Sequence, residues 1–554
     1  MQDYLNRATE WSEEWGFKLS NTKSTAVLFT KSPKPKGEAD LKLTINGTPI
    51  NVATEFKFLG VIFDRRLTWD SHITAVIDKA KKALNLMRNV AGQGWGAGKK
   101  AQLCIYKALI RSRIEFGHEV YYTASDHQLS RLDTVQRRAL LRCCGAFCTT
   151  ANNVLQQDCG EMPLALRRKR AALRTLTRAA ANDTNPARSV IEPHWTQYYG
   201  KFTAGKGTFS MLWSDYRSTR TEEVAKHQVL PTPPWERTIP NTDCSLSRSI
   251  CKKETLPATM KTEALTLIHS YAHHLHIYTD ASKMADSDRV GAAFYVEELE
   301  YGHAARLTDG ISIYAAELTA IQMAIDWLLN SANLTQDVVI FTDSLSSVQS
   351  FSSCRSTSQP IIFDRALTSV YQLQQTVTFA WIPSHVGIRG NEAVDRLAKL
   401  GTERAIVDIN LPLEFHQEKA EIDDYILGLW QTQYDNDASG AFYRAIEPKV
   451  NGHVKYSSQN KSKERMITRL RFGKCLLNKC LQEIKKHPDG RCGCCGRDET
   501  VEHLLLECNR FDLAKTLNSK CRDLGLEPTL RNILSNACLS DIIFDTLHTK
   551  HVKL

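Results

Sequence analysis

The chain of 554 residues is too long for one ordinary hydrophobic core, so we expect three or four domains. Its hydrophobic content of 42% is typical of globular protein and excludes disorder throughout. The formal net charge of +10 favours an anionic partner but excludes no class of function by itself.

The beginning of the chain and its cysteines bear on compartment. The first residues are amphipathic and carry acids, unlike a signal peptide, and no uncharged apolar window is long enough to span a membrane. We therefore expect an intracellular protein, nuclear or cytoplasmic and not secreted. Most of its 16 cysteines should stay reduced, with a few bound to metal.

Residues 1–180 begin with a predicted helix over 1–16 and pass through short strands into mainly helical sequence. The helix pattern places four residues on one stripe: Leu5, Ala8, Trp11 and Trp15. Alternating apolar residues around Asn46-Gly47 predict a hairpin, and residues 56–63 predict another buried strand.

Two segments here resemble the palm end and thumb of a non-LTR retrotransposon reverse transcriptase. They are Gly16-Phe17-Lys18-Leu19-Ser20-Asn21-Thr22-Lys23 and Phe58-Leu59-Gly60-Val61-Ile62-Phe63. In such polymerases the catalytic Asp-Asp turn lies just upstream of the first segment, and this chain begins too late to contain it. The resemblance implies a mainly helical thumb remnant at 1–180 and no polymerase activity in this polypeptide.

The thumb-like region is basic, with 29 Lys or Arg against 16 Asp or Glu over residues 1–180. Its helices contain Arg137, Arg138, Arg142 and the run at 167–170. Such residues form either a solvated face or a surface that follows phosphates. The resemblance favours the second interpretation, so we expect nucleic acid as a partner.

Residues 181–271 are weakly patterned and predict a connector, with Pro-rich sequence from Pro231. Residues 403–465 predict a second connector with a helical piece around 425–430. Between them, residues 272–402 predict a mixed five-stranded sheet with helices on its faces. The expected strands are 275–279, 290–296, 302–307, 338–342 and 377–382, and the expected helices are 315–330, 344–351, 360–375 and 391–401.

Four carboxylates are spread over this alternating segment: Asp280, Glu317, Asp343 and Asp395. Lone carboxylates at strand ends usually meet solvent or cap the next helix. This set, with His385 ten residues before the last acid, is suited to converge at one sheet edge and hold two divalent metals. Two metals about 3.5–4 Å apart activate water and stabilise the leaving oxygen in phosphodiester hydrolysis.

The segment resembles type 1 ribonuclease H. The matching pieces are Tyr278-Thr279-Asp280-Ala281-Ser282, Ala316-Glu317-Leu318, Thr342-Asp343-Ser344, Ile382-Pro383-Ser384-His385-Val386-Gly387 and Gly390-Asn391-Glu392-Ala393-Val394-Asp395. One departure is Ala281, where the family usually has Gly. The resemblance implies cleavage of the RNA strand of an RNA/DNA hybrid.

The resemblance also implies roles for the matching residues. Asp280 would bridge two Mg²⁺ ions, with Glu317 and Asp343 completing one shell and Asp395 the other; Mn²⁺ should substitute. His385 would transfer a proton or assist product release. Two further residues match positions that contact the hybrid: Ser282 and Asn391.

This nuclease-like segment is acidic, with 8 Lys or Arg against 14 Asp or Glu over 272–402. Between Asp343 and His385 the only basic residues are Arg355 and Arg365. The basic handle that some family members use to hold substrate is therefore missing. We expect weak hybrid binding by the segment alone, with flanking regions supplying affinity.

Residues 466–554 contain the ligands expected of a structural Zn²⁺ site: Cys492, Cys495, His503 and Cys508. The spacing resembles the zinc element at the C-termini of many retrotransposon polyproteins. A coincidence of core cysteines is the alternative, and Cys494 could replace a member of the first pair. Three nearby cations are either phosphate contacts or a solvated face: Arg469, Arg471 and Lys474.

Three functions remain in view. The first is an Mg²⁺-dependent ribonuclease specific for hybrids, which the four acids favour. The second is a catalytically silent retrotransposon remnant that binds nucleic acid, which the missing polymerase core favours. The third is an integrase-like nuclease of the same fold, which would not need the unit formed by His385 and Asp395.

Overall fold

The computed structural model describes residues 1–30, 32, 42–92, 95–181, 185–186, 212, 215, 233–250, 255–284, 286–331, 334–411, 415–552 and 554. The chain divides into two compact units. The first comprises Met1–Ala172, Gly205–Leu212 and Asp423–Leu554, and the second comprises Leu173–Ala204 and Trp213–Ile422. Within the described part of the chain, no helix is both long and apolar enough to cross a membrane.

The second unit is built on one mixed sheet. Its strands are β1 (Asn241–Asp243), β2 (Leu275–Lys283), β3 (Val290–Val296), β4 (Tyr301–Leu307), β5 (Val338–Thr342) and β6 (Val377–Trp381). Their order across the sheet is β4-β3-β2-β5-β6-β1. The β4–β3 and β3–β2 pairs are antiparallel, and the other three pairs are parallel.

The prediction of five strands is wrong by one. The sixth strand, β1, comes from the segment predicted as a connector and pairs with β6, with Thr242 opposite Phe379. Its sequence is Asn-Thr-Asp, which carries no alternating apolar pattern. The strand is therefore specified by the edge of β6 that it meets, and its own side chains give no signal.

Five helices flank the sheet: α1 (Pro257–Ser270), α2 (Ile313–Leu329), α3 (Leu345–Ser353), α4 (Pro360–Val370) and α5 (Arg389–Glu403). A short helical turn at Leu246–Ser249 precedes α1. Helix α2 is buried along most of its length, as its apolar sequence requires. The observed bounds differ from the predicted ones by a few residues, mostly at helix ends.

Helix α5 packs unusually closely on the sheet because glycines line the contact. A Cβ added at Gly390 would lie 2.2 Å from the Tyr278 ring on β2. A Cβ at Gly291 of β3 would lie 2.3 Å from the Ala398 carbonyl oxygen of α5. These contacts fix the position of α5, and therefore of Asp395, against the strand that carries Asp280.

The first unit is mainly helical. Its α-helices are Gln2–Glu14, Asp70–Val90, Lys99–Tyr106, Ser112–Glu115, Asp126–Cys144, Asn152–Cys159, Ala441–Ile446, Lys461–Arg471, Asn478–Glu483, Leu513–Asp523, Leu530–Ser535 and Ala537–Thr549. Lys107–Arg111 and His503–Glu507 are π-helical, and Arg510–Asp512 is a 3₁₀ turn. Two helices begin in one unit and end in the other: Leu164–Ala180 and Phe415–Asn436.

Three short strand pairs complete the first unit. The hairpin predicted at Asn46-Gly47 is confirmed, with Thr44–Ile45 pairing Thr48–Pro49. Thr25–Val27 pairs in parallel with Asn51–Ala53. The single buried strand predicted at 56–63 is wrong. Glu55–Phe58 and Val61–Asp64 form a hairpin, because Leu59 and Gly60 both adopt positive φ.

The predicted stripe on the first helix is not a core face. Trp11 and Trp15 are exposed, whereas the buried residues of the helix are Thr9 and Ser12. Helical spacing correctly indicated the element here. It did not indicate which face packs, because that depends on what the tertiary structure places beside the helix.

A buried polar cluster joins the first and last chain segments of the first unit. The Lys99 ammonium is fully buried, 2.5 Å from a carboxylate oxygen of Asp158 and 3.1 Å from the Thr468 hydroxyl. The Tyr443 hydroxyl donates to the other carboxylate oxygen of Asp158. Glu464 accepts the Lys99 backbone N–H. Residues 99–158 and 443–468 therefore belong to one interior.

Candidate active site and metal centres

Asp280 and Asp343 lie side by side at the carboxyl edge of two parallel strands. Strands β2 and β5 pair Thr279 with Thr342, and the residue after each of these threonines is an aspartate. Strand β2 continues to Lys283, and Asp280 pairs with Ala293 of β3. The observed strand therefore runs past Asp280, where the prediction ended it.

Helix α2 supplies the third carboxylate. The Ser312 hydroxyl accepts the Ala315 backbone N–H and caps the helix, which places Glu317 in the turn that follows. One oxygen from each of Asp280, Glu317 and Asp343 lies within 4.8 Å of the others. Among the described residues, Oε2 of Glu317 is buried with no hydrogen-bond partner, so a cation at this edge would satisfy it.

The electrostatics of this three-acid cluster favour a bound cation. Burial, and then the Asp343 charge, raise the pKa of Asp280 to about 8. Burial also raises the pKa of Glu317, and the charges of Asp280 and Asp343 add to the effect. Carboxylates held this close resist ionising together unless a positive charge lies among them. Hard oxygen donors of this kind suit Mg²⁺.

Asp395 lies on α5, outside the three-acid cluster but within electrostatic reach of Asp280. The Lys399 ammonium lies 2.7 Å from a carboxylate oxygen of Asp395, one helical turn away. Lys399 was not among the candidate residues. Its i,i+4 spacing from Asp395 was the available signal, since this spacing brings opposite charges together on a helix.

The other predicted nuclease residues occupy three different environments. His385 is exposed, with φ of 53°, in the loop that ends at Ile388 before α5. Asn391 is buried in the first turn of α5, and among the described residues its Oδ1 has no hydrogen-bond partner. Ser282 is half-buried on β2, opposite Gly291.

The four predicted zinc ligands converge in the first unit. The donor atoms of Cys492, Cys495, His503 and Cys508 all lie within 4.8 Å of one another. Cys494 is exposed and lies outside this zinc-type cluster. Burial raises the pKa of the Cys492 thiol. Hydrogen bonds from the Cys494 N–H and the His503 ring outweigh burial and lower that pKa to about 7.

Local backbone geometry builds the zinc-type cluster. The Cys492 N–H donates to the Arg497 carbonyl, and the Gly496 N–H donates to the Cys492 carbonyl. Gly496 has φ of 71°, which turns the chain between the first two cysteines and the helix that follows. Nδ1 of His503 lies 3.3 Å from a Glu507 carboxylate oxygen, which orients its Nε2 toward the cysteines.

A third group of possible ligands is structural. Cys144, Asp158 and Cys159 are buried within 4.8 Å of one another. The Lys99 ammonium already pairs with Asp158 there. Burial lowers the pKa of Lys99, but Asp158 and the two thiols outweigh it and raise the pKa overall. A permanent protein cation thus holds the position that a metal would need.

The three cations near the zinc-type cluster do not form an open basic face. Arg471 is almost fully buried, with its guanidinium on Glu447 and the Leu534 carbonyl, so neither alternative, a phosphate contact or a solvated face, holds for it. Arg469 donates to the carbonyls of Gly145 and Leu554. Lys474 pairs with Glu483.

Part of the chain that contains the three-acid cluster matches a known protein family. Residues 272–403 match the RNase H family model. The chain is 26% identical over 167 residues to a probable RNA-directed DNA polymerase from transposon X-element of Drosophila melanogaster, covering 28% of this chain and 17% of that protein. It is 24% identical over 161 residues to a Pol polyprotein from the type-1 retrotransposable element R1 of Nasonia vitripennis, covering 28% and 48%.

The mobile element jockey of Drosophila funebris encodes another similar polymerase, 27% identical over 146 residues, which are 26% of this chain and 16% of that protein. The matches thus span less than half of each of these relatives. The crystal structure of LC11-RNase H1 in complex with an RNA/DNA hybrid is 17% identical, covers 24% of this chain and 98% of its own, and has a TM-score of 0.21. The chain carries an RNase H domain within sequence similar to non-LTR retrotransposon polyproteins.

Proposed function

We propose that this chain, through its RNase H domain, hydrolyses the RNA strand of RNA/DNA hybrids with two divalent metal ions. The observation that carries the proposal is the convergence of Asp280, Glu317 and Asp343 within 4.8 Å at one sheet edge. That convergence lies inside the segment that matches the RNase H family.

When bound, Mg²⁺ or Mn²⁺ would activate a water and stabilise the leaving oxygen. The chain supplies the framework for this. Asp280 lies centrally on β2, and Asp343 follows β5 directly beside it. The charge of Asp395 on α5 acts on Asp280. Glu317 brings a buried oxygen that needs a positive partner.

His385 would transfer a proton during hydrolysis, because it is exposed on the loop that leads into α5 and that also contains Gly387. Asn391 and Ser282 would contact the hybrid. Among the described residues the buried Oδ1 of Asn391 has no hydrogen-bond partner, and it would accept a ribose hydroxyl only if the first turn of α5 shifts to expose it. Reading that hydroxyl is what separates an RNA strand from a DNA strand.

The test is cleavage of a labelled RNA/DNA hybrid in Mg²⁺ by the full chain and by Asp343→Asn. We expect cutting of the RNA strand by the parent, a loss of about 10³-fold or more in the variant, and no cutting of an RNA/RNA duplex. Asp337→Asn is the matched control, because Asp337 precedes the same strand at its opposite end and is exposed. It should cut normally.

A different result would replace this proposal. A folded parent that binds the hybrid but does not cut it in Mg²⁺ or Mn²⁺ would indicate a catalytically silent remnant that binds nucleic acid. Equal cutting by the parent and Asp343→Asn would assign the activity to another site or to a contaminant.

We also propose that Cys492, Cys495, His503 and Cys508 hold a structural Zn²⁺. Four donors leave no open position for a substrate, which is the arrangement of a structural site. Metal analysis of the purified chain should find about one Zn²⁺ per molecule, and Cys508→Ser should lose it. Cys494→Ser should retain the zinc, and loss of zinc in both variants would contradict the assigned ligand set.

A further inference from the structure

The Asp395–Lys399 pair lies where the second divalent ion of the proposed mechanism would bind. The Lys399 ammonium is 2.7 Å from a carboxylate oxygen of Asp395. The charges of both residues act on Asp280, which belongs to the three-acid cluster. Asp280 and Glu392 in turn add to the negative field at Lys399. The Lys399 ammonium thus lies at the acidic sheet edge where the proposed mechanism needs metal ions.

The two partners differ in how firmly they are held. The Asp395 side chain is only 14% exposed, whereas the Lys399 side chain is 58% exposed and ends a flexible four-carbon stem. An exposed ion pair of this type contributes little to stability, so the ammonium leaves its partner easily. Asp395 would remain in position as a ligand when Lys399 moves away.

We propose that Lys399 is a tethered competitor for the second divalent ion: it neutralises Asp395 when the site lacks metal and must be displaced for that ion to bind. This inference rests on the proposed two-metal function. It makes Lys399 a residue that sets the metal concentration at which the site fills. The first ion, among Asp280, Glu317 and Asp343, should be much less sensitive to it.

The main alternative is that Lys399 positions Asp395 and thereby helps the second ion to bind. The two roles predict opposite effects of removing the charge. Lys399→Met keeps the aliphatic stem but loses the ammonium, and Lys399→Arg keeps the charge. Arg404→Met is the matched control, because Arg404 forms a comparable exposed i,i+4 pair with Asp408 at 2.9 Å. This substitution also removes one positive charge.

The experiment is an Mn²⁺ titration of the zinc-loaded full chain, with free Mn²⁺ measured by electron paramagnetic resonance. Binding to Asp280→Asn is subtracted as background. Lys399→Met should lower the Mn²⁺ concentration that half-fills the weaker site by about three- to tenfold. Lys399→Arg and Arg404→Met should shift it by less than about twofold. The Mg²⁺ concentration for half-maximal hybrid cleavage should fall in the same variant.

The outcomes separate the inference from the function beneath it. Two Mn²⁺ ions bound with equal affinity by the parent and Lys399→Met, or more weakly by Lys399→Met, would overturn the competitor role and leave the nuclease proposal intact. An equal gain in Arg404→Met would also overturn it, by showing a general charge effect. No Mn²⁺ binding above the Asp280→Asn background would remove the two-metal function, and the inference with it.

Discussion

Asp280 keeps its proton in the folded, metal-free protein over a pH range in which the unfolded chain has lost it. Its pKa lies at about 8 in the fold, against 3.8 for an ordinary aspartate. A group with a raised folded pKa stabilises the fold at low pH, and that contribution is lost as pH rises between the two values. The metal-free domain should therefore become less stable from about pH 4 to about pH 8.

Asp280→Asn removes this titration, so its stability should depend less on pH. With zinc bound and neither Mg²⁺ nor Mn²⁺ present, the melting temperature of the variant should exceed that of the parent by about 5 °C at pH 8.5, and the difference should nearly vanish at pH 4. Differential scanning calorimetry at both pH values measures this. A melting-temperature difference that is the same at both pH values would show that the Asp280 carboxyl does not titrate as proposed. The control, Asp337→Asn, should melt at the same temperature as the parent at both pH values.

At the scale of residues, the sequence identified side chains that converge in the structure, but it did not identify the residues packed beside them. The acids and the predicted zinc ligands were candidates because chemistry restricts which residue types can bind a metal at each spacing. Lys399 carries no such restriction, and an i,i+4 Lys–Asp pair is common on any exposed helix. Arg471 was misread because its burial depends on Glu447 and Leu534, which approach it only in the folded unit.

Strand β1 covers one edge of the six-stranded sheet, and the effect of removing it should be measurable in a fragment. Without it, the edge of β6 would expose unpaired backbone groups, which favours aggregation. A fragment of residues 233–411 should therefore melt about 5 °C or more above one of residues 255–411. It should also remain monomeric at higher concentration in size-exclusion chromatography. Identical melting and association would show that β1 contributes nothing to the edge.

Elements with a local signal were predictable. Asn46-Gly47 marks a hairpin because both residues adopt positive φ with little strain, and the structure shows both there. The turn at Leu59-Gly60 has only half of that signal, since leucine rarely adopts its φ of 45°. Strand β1 has none, because it is defined by its pairing with β6.

The cluster at Lys99 and Asp158 connects segments that are distant in sequence, so its disruption should destabilise the first unit as a whole. Asp158→Asn would leave the fully buried Lys99 ammonium without its charged partner, at a cost of about 3–5 kcal/mol. Chemical denaturation followed by far-ultraviolet circular dichroism measures this. Asp512→Asn, in the exposed pair with Lys515, is the control and should change stability by less than about 0.5 kcal/mol.

Charge separation along the chain makes a prediction for substrate binding. In an Asp343→Asn background, residues 233–411 should bind hybrid more weakly than the full chain. Their binding should also depend less steeply on salt, because fewer phosphates are neutralised. Fluorescence anisotropy across a NaCl series tests this. Equal affinity and an equal salt dependence would show that residues outside the fragment contribute nothing to hybrid binding. The exposed Arg355 and Arg365 would then suffice, with their neighbours, to bind the hybrid.

The first unit is divided among separate segments of the chain, and the distance between its first and last segments has a consequence for synthesis. About 250 residues separate Ala172 from Asp423, and the ribosome must make them all before the second segment appears. At about 5–20 residues per second this interval is roughly 12–50 s. During that time Lys99 and Asp158 lack their partners Tyr443 and Thr468, while the second unit is completed and free to fold. The second unit can therefore fold before the first unit has all of its chain segments.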